Sequence, residues 1–127
     1  MLLNDKRIYI ADDDKNVCEA IADILEDEGA TVIKGPDGNR LFTAVAFGKP
    51  DLIITDLYMP EYDGFKTIKA IRGDLEEECP ILVVTGHATQ ENLSKAKRLG
   101  ASGCIAKPLN ADELIDTVVY LLKTKTN

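Results

Sequence analysis

Asp51-Leu52-Ile53-Ile54-Thr55-Asp56 is the stretch on which the fold turns. Its apolar residues run without alternation, which marks a strand buried on both faces, and such strands belong to parallel sheets covered by helices on either side. Ile81-Leu82-Val83-Val84-Thr85, introduced by Cys79-Pro80, has the same character. One strand ends on a carboxylate and the other on a hydroxyl.

Working outward, three further β-rich runs appear: Arg7 to Ala11, Thr31 to Ile33, and the weaker Gly103 to Ala106. Helical spacing fills the intervals. Val17, Ala20, Ile21, Ile24 and Leu25 predict a helix over about Asn16 to Glu28, closed by Gly29 at a C-cap position. Gly35-Pro36-Asp37-Gly38 breaks the chain before a short helix, Asn39 to Phe47, which Gly48-Lys49-Pro50 stops. Helices are predicted over Phe65 to Arg72, over Thr89 to Leu99 with Gly100 ending it, and over Ala111 to Lys123. Strict βα alternation implies an α/β fold, a five-stranded parallel sheet wound on both faces. Right-handed crossovers make 2-1-3-4-5 the expected strand order, the flavodoxin-like doubly wound arrangement. With 127 residues the expectation is one domain over 1–127, its core about 6–123, with a polar tail from Lys123.

Bulk composition narrows the function. A formal net charge of −7 leaves no basic stripe to replace the counterions of nucleic acid, so no direct nucleic-acid contact is expected. No apolar run approaches membrane-spanning length, and Met1 to Arg7 lacks a signal-peptide core, so no membrane contact and a cytoplasmic location are expected. Cys18, Cys79 and Cys104 have neither disulfide-framework nor zinc-ligand spacing, and buried or incidental thiols are the simpler reading.

In a parallel sheet every strand's carboxyl end lies on one edge, and ligands bind there, at the switch point between the first and third strands. That edge gathers Asp12-Asp13-Asp14, Asp56, Thr85 and Lys107-Pro108. Two carboxylates about 5 Å apart repel by roughly 3 kcal/mol at an effective dielectric near 20. Three together shift their pKa values or recruit a cation. An all-oxygen set on a wet, open edge suits Mg²⁺. A carboxylate can act as nucleophile and form an aspartyl phosphate, and Asp56, alone at the end of a central strand, is the candidate. Each residue also has a plainer reading. Asp12 to Asp14 would cap and charge the first helix, Thr85 would be an ordinary strand residue, and Lys107 a solvated charge.

Together, Asp12-Asp13, Asp56 with Met59-Pro60, Thr85 and Lys107-Pro108 resemble the receiver domain of bacterial two-component response regulators, over nearly the whole chain. The resemblance implies a phosphoacceptor switch. Asp56 takes a phosphoryl group from a sensor histidine kinase or histidine phosphotransfer protein. Asp13 and Asp56 hold Mg²⁺ directly, Asp12 acts through water, and the Tyr58 backbone carbonyl adds a ligand. Thr85 and Lys107 contact the phosphoryl oxygens. The surface around the fourth helix, fifth strand and fifth helix then changes to alter binding of a downstream protein target or an effector domain beyond the chain. Such a module catalyses only its own phosphorylation and dephosphorylation. A pseudo-receiver working unphosphorylated and a small-substrate phosphotransferase or phosphatase are the rivals. The intact acidic set argues against the first. Tyr58, where the second usually needs a further acid, argues against the other.

Three features stand outside that pattern. Tyr58 and His87, each two residues beyond a site residue, are expected to screen the phosphoryl group from water, although a lone loop histidine is more often only a surface residue. Cys104 stands where receivers usually carry a Tyr or Phe gate, which puts the aromatic half of the switch in doubt. The last helix carries two apolar stripes, Leu114/Val118/Leu121 and Ile115/Val119/Leu122. They imply either a deep groove or a partner or homodimer face formed with the preceding helix and strand.

Overall fold

A computed structural model describes residues 1–35, 37–59 and 63–124, so Pro36, the Pro60 half of Met59-Pro60 and the end of the tail lie outside the described residues. Along the chain run β1 (Arg7–Ala11), α1 (Lys15–Asp27), β2 (Thr31–Gly35), α2 (Gly38–Phe47), β3 (Leu52–Thr55), α3 (Gly64–Gly73), β4 (Ile81–Thr85), α4 (Gln90–Leu99), β5 (Gly103–Ala106) and α5 (Ala111–Thr124). The strands form one sheet in the order β2-β1-β3-β4-β5, with every neighbouring pair parallel, as the alternation implied. β2 runs two residues beyond Ile33 because Lys34 and Gly35 pair with Ile10 and Ala11.

Side-chain alternation splits the core between the two faces of the sheet. Ile8, Ile10, Leu52, Ile54, Leu82 and Val84 pack with α1 and α5, while Tyr9, Ala11, Ile53, Ile81 and Val83 pack with α2, α3 and α4. β3 and β4 are buried along their whole length, the property for which their unbroken apolar runs select. Helix starts follow capping chemistry. Asp14, Asp37, Asp63 and Thr89 each stand just outside a helix and accept a backbone N–H from its first turn. Thr89 is therefore the cap of α4 rather than its first residue. Gly29, at φ +96°, closes α1 in a conformation that favours glycine, and an added Cβ there would also strike Asn4.

The wide apolar arc of α5 has a packing explanation. Leu114, Val118 and Leu121 are buried, and Val119 and Leu122 of the second stripe rest half-buried against the same core. Among the described residues, no helix is long and apolar enough to cross a membrane.

Candidate functional site

The triple acid divides its labour. Asp14 caps α1, its carboxylate accepting the N–H groups of Asn16 and Val17 at 3.0 and 3.2 Å. Asp12 turns inward to 3% exposure, and its Oδ1 accepts the Asp14 N–H at 2.9 Å. Asp13 stays exposed. The capping reading thus holds for one residue of the three and frees the other two. Asp12, Asp13 and Asp56 bring one carboxylate oxygen each to within 4.8 Å of one another.

Asp56 follows β3 and is buried. Its backbone N–H reaches Ala11 O at 3.1 Å, which fixes it beside the end of β1. Its Oδ1 accepts the Leu57 N–H at 2.6 Å, and its Oδ2 accepts a hydrogen bond from Lys107 Nζ at 2.9 Å. Gly64, at the first position of α3, lets the helix approach this loop. Its N–H donates to Leu57 O at 2.9 Å, and a Cβ there would collide with the Asp56 carbonyl oxygen and come within 2.6 Å of Leu57 Cα.

Lys107 bridges the two buried acids. Its ammonium also lies 3.0 Å from Asp12 Oδ2, close enough for an ion pair. Beyond that ion pair, Oδ2 is a buried oxygen with no hydrogen-bond partner among the described residues. Burial pulls the Lys107 pKa down, but the paired carboxylates of Asp56 and Asp12 outweigh it and hold the ammonium above its ordinary value. Burial raises the Asp12 pKa against the opposing Asp14 N–H and Lys107 charge. An under-satisfied carboxylate oxygen beside two more carboxylates is a donor set for a hard divalent cation, and the residues present fit one.

Thr85 ends β4 fully buried, with its hydroxyl accepting the His87 N–H at 3.1 Å. The Tyr58 and His87 rings meet edge to face, 4.5 Å between centroids, and Tyr58 also meets Phe65 at 6.2 Å. The two loop residues singled out by position therefore form a pair. A third partner escaped sequence reading. Asn92 of α4 lies 3.3 Å from the Tyr58 hydroxyl through Oδ1 and donates from Nδ2 to His87 O at 2.9 Å. An asparagine on a helix surface carries no spacing signal, so only the folded geometry reveals it.

Cys104 sits half-buried on β5, beside Val83 of β4. Between β5 and α4 it borders a cleft of about 220 Å³ with Leu93, Ala96, Ala101 and Gly103. Burial, seconded by the Asp56 charge, pushes its thiol up to about 11.

The family model described as response regulator receiver domain matches residues 8–119. A 14.6 kDa protein of Leptolyngbya boryana, encoded in the sodA1 3′ region, is 33% identical over 112 residues, 87% of this chain and 86% of that protein. Sporulation initiation phosphotransferase F of Bacillus subtilis is 27% identical over 126 residues, covering 99% of this chain and all of the relative. The chain spans only 52% of the length of the transcriptional regulatory protein RprY of Bacteroides fragilis, at 30% identity. Among solved structures, a CheY-like receiver domain protein from Methanospirillum hungatei superposes with a TM-score of 0.89 at 27% identity, over 94% of this chain and 95% of that one.

Proposed function

The chain belongs to the response regulator receiver domain family, and from that premise we propose that Asp56 is its phosphoryl-accepting side chain. Members of the family act as phosphoacceptor switches in two-component signalling, and a switch is what this domain is. The proposed donor is a phosphohistidine on a sensor histidine kinase or histidine phosphotransfer protein. The proposed listener is a downstream protein or effector domain that reads α4, β5 and α5. The reading takes residues 1–127 as one receiver domain that acts only on its own phosphoryl group. Cys18, Cys79 and Cys104, which lack disulfide-framework spacing, suit a reducing compartment such as the cytoplasm.

One observation carries the reading: Asp56 ends a central strand with Lys107 Nζ at 2.9 Å and the carboxylates of Asp12 and Asp13 alongside. Receiver domains bind Mg²⁺ through such an acidic cluster, and here Asp12, Asp13, Asp56 and the Tyr58 backbone carbonyl are the proposed ligands. When bound, the ion supplies positive charge that offsets the negative charge of the incoming phosphoryl group. The chain's own groups do the rest. The Leu57 N–H and Lys107 orient the Asp56 carboxylate. An Asp56 oxygen attacks phosphorus, the P–N bond to the donor imidazole breaks, and that bond's electron pair leaves with the imidazole. Lys107 then pairs with a phosphoryl oxygen, and the Thr85 hydroxyl donates to another. The contact between Tyr58 and His87 screens the product from water.

Incubation with acetyl phosphate and Mg²⁺ should add one phosphoryl mass to the intact protein. Asp56→Asn should abolish the gain. An Asp56→Asn protein that still gains the mass, or a wild type that gains none, rejects the assignment. Followed over time, the same measurement should give a shorter phosphoryl half-life in a Tyr58→Ala, His87→Ala variant.

A further inference from the structure

We propose that Asn92, in the first turn of α4, is a positioning residue that clasps Tyr58 against His87 and so ties α4 to the phosphoacceptor loop. The proposal rests on the reading of Asp56 as phosphoacceptor, and it assigns the tie that relays the state of that site to α4.

The amide's orientation follows from its partners. A carbonyl oxygen only accepts, so the Asn92 nitrogen must face His87 O, at 2.9 Å. That leaves Oδ1 for the Tyr58 hydroxyl, at 3.3 Å. One side chain thus holds both members of the ring pair, one by its hydroxyl and the other by its backbone. The grip matters because Tyr58 is 46% exposed, and a tyrosine so placed has room to swing away. The Phe65 ring steadies its other side, and the Lys95 ammonium lies 4.3 Å from that ring's centroid. The His87 N–H in turn rests on the Thr85 hydroxyl, the group that must turn toward a phosphoryl oxygen. Asp56, Tyr58, Asn92, His87 and Thr85 therefore form a continuous physical chain, and its middle member belongs to α4.

The far side of α4 gives the clasp its importance. Where an aromatic would fill the space between α4 and β5, Cys104 leaves an open cleft of about 220 Å³. With no ring there to follow Thr85, a displacement of the β4–α4 loop reaches the helix through the His87 carbonyl and the Asn92 amide. The same contacts hold Tyr58 in place, so screening of the site and placement of α4 are coupled through one residue.

The test uses the full chain and two small changes: Asn92→Ala deletes both sides of the clasp, and Tyr58→Phe deletes only the hydroxyl side. In the unphosphorylated protein, through-space NMR contacts between the Tyr58 and His87 ring protons should be present in the wild type and weakened in both variants. After charging with acetyl phosphate and Mg²⁺, each variant should lose its phosphoryl group about two- to fivefold faster, the scale of one exposed neutral hydrogen bond. The double variant should be no faster than Asn92→Ala alone, because Tyr58→Phe deletes a contact that Asn92→Ala has already removed. Asn92→Asp, which keeps the oxygen acceptor for Tyr58, should retain more of the ring contact than Asn92→Ala. Unchanged ring contacts in Asn92→Ala, or half-life effects that simply add, overturn the proposal. Failure of the wild type to take up phosphoryl at all would reject the Asp56 reading instead, and the ring contacts alone would then decide for or against the clasp.

Discussion

Cys104 differs in kind from the aromatic that receivers usually place three residues before the lysine. It has one side-chain torsion and little volume, so it cannot swing between a pocket and the surface as a ring does. It is also chemically quiet, because burial first, and the Asp56 charge second, push its thiol up to about 11. Only the thiolate is a nucleophile, and at pH 7.5 a shift from an ordinary value of 9.0 to about 11 lowers the thiolate fraction by roughly 10²-fold. Alkylation of Cys104 by iodoacetamide, read by peptide mass spectrometry, should therefore be slower in the folded protein than in urea by about that factor. Equal rates would mean that the strand does not shelter the sulfur. A residue that neither gates nor reacts leaves the relay to its neighbours, which is the position the Asn92 clasp fills.

At the scale of elements, one side chain joins α3, α4, β4 and β5. Arg72, in the last turn of α3, donates from Nε and Nη2 to Gly100 O at 3.0 and 2.9 Å, and from Nη1 to Glu77 O and Cys79 O, both at 2.7 Å. These partners lie at the amino ends of β4 and β5, the edge opposite Asp56, Thr85 and Lys107. Arg72→Ala should cost about 2–4 kcal/mol in urea unfolding while leaving the Mg²⁺-dependent mass gain intact. Arg72→Lys should recover little, since an ammonium cannot span acceptors arranged for a planar fork. A midpoint unchanged in Arg72→Ala would show that the fork holds nothing the fold needs. The contrast between the two edges explains what the sequence made legible. Strand order and the site's acids, hydroxyl and lysine were readable because parallel topology turns chain order into position. A cap residue shifted one predicted helix start, since Thr89 looks helical by spacing yet stands outside α4. Arg72 and Asn92 were unreadable for a common reason: Arg72 acts mainly, and Asn92 partly, through backbone carbonyls, which every residue has. The role of Gly64 was not readable, because the collision it avoids is with backbone that the fold alone brings near.

For the whole molecule, the site sets a tension between stability and readiness. Burial raises the Asp12 pKa despite the Asp14 N–H and Lys107. The folded state therefore keeps a proton on Asp12 over a range where the unfolded chain, with an ordinary value of about 4, has already lost it. In that window the folded state binds more protons, so Asp12's contribution makes the metal-free protein less stable as pH rises from about 4 through the raised value. Above the window, the ionised carboxylate is a standing cost, because burial outweighs the Asp14 N–H and the Lys107 ion pair. A cation that binds only the folded state offsets this, by about 2.7 kcal/mol at a hundredfold excess over its dissociation constant. The melting temperature at pH 7 should thus rise by several degrees with saturating Mg²⁺, and by much less at pH 4, where the buried Asp12 carboxyl holds a proton instead. Asp12→Asn should melt no lower than the wild type without metal at pH 7 and lose most of the Mg²⁺ increment. Calorimetry across the two pH values with and without Mg²⁺ reads all of these. A Mg²⁺ shift of equal size at both pH values, or none at pH 7, would mean that the three carboxylates are not what the ion engages. A positive result would make the charge crowding at this edge a reason why the resting domain binds its ion, and why the proposed phosphoryl group finds its positive charge already in place.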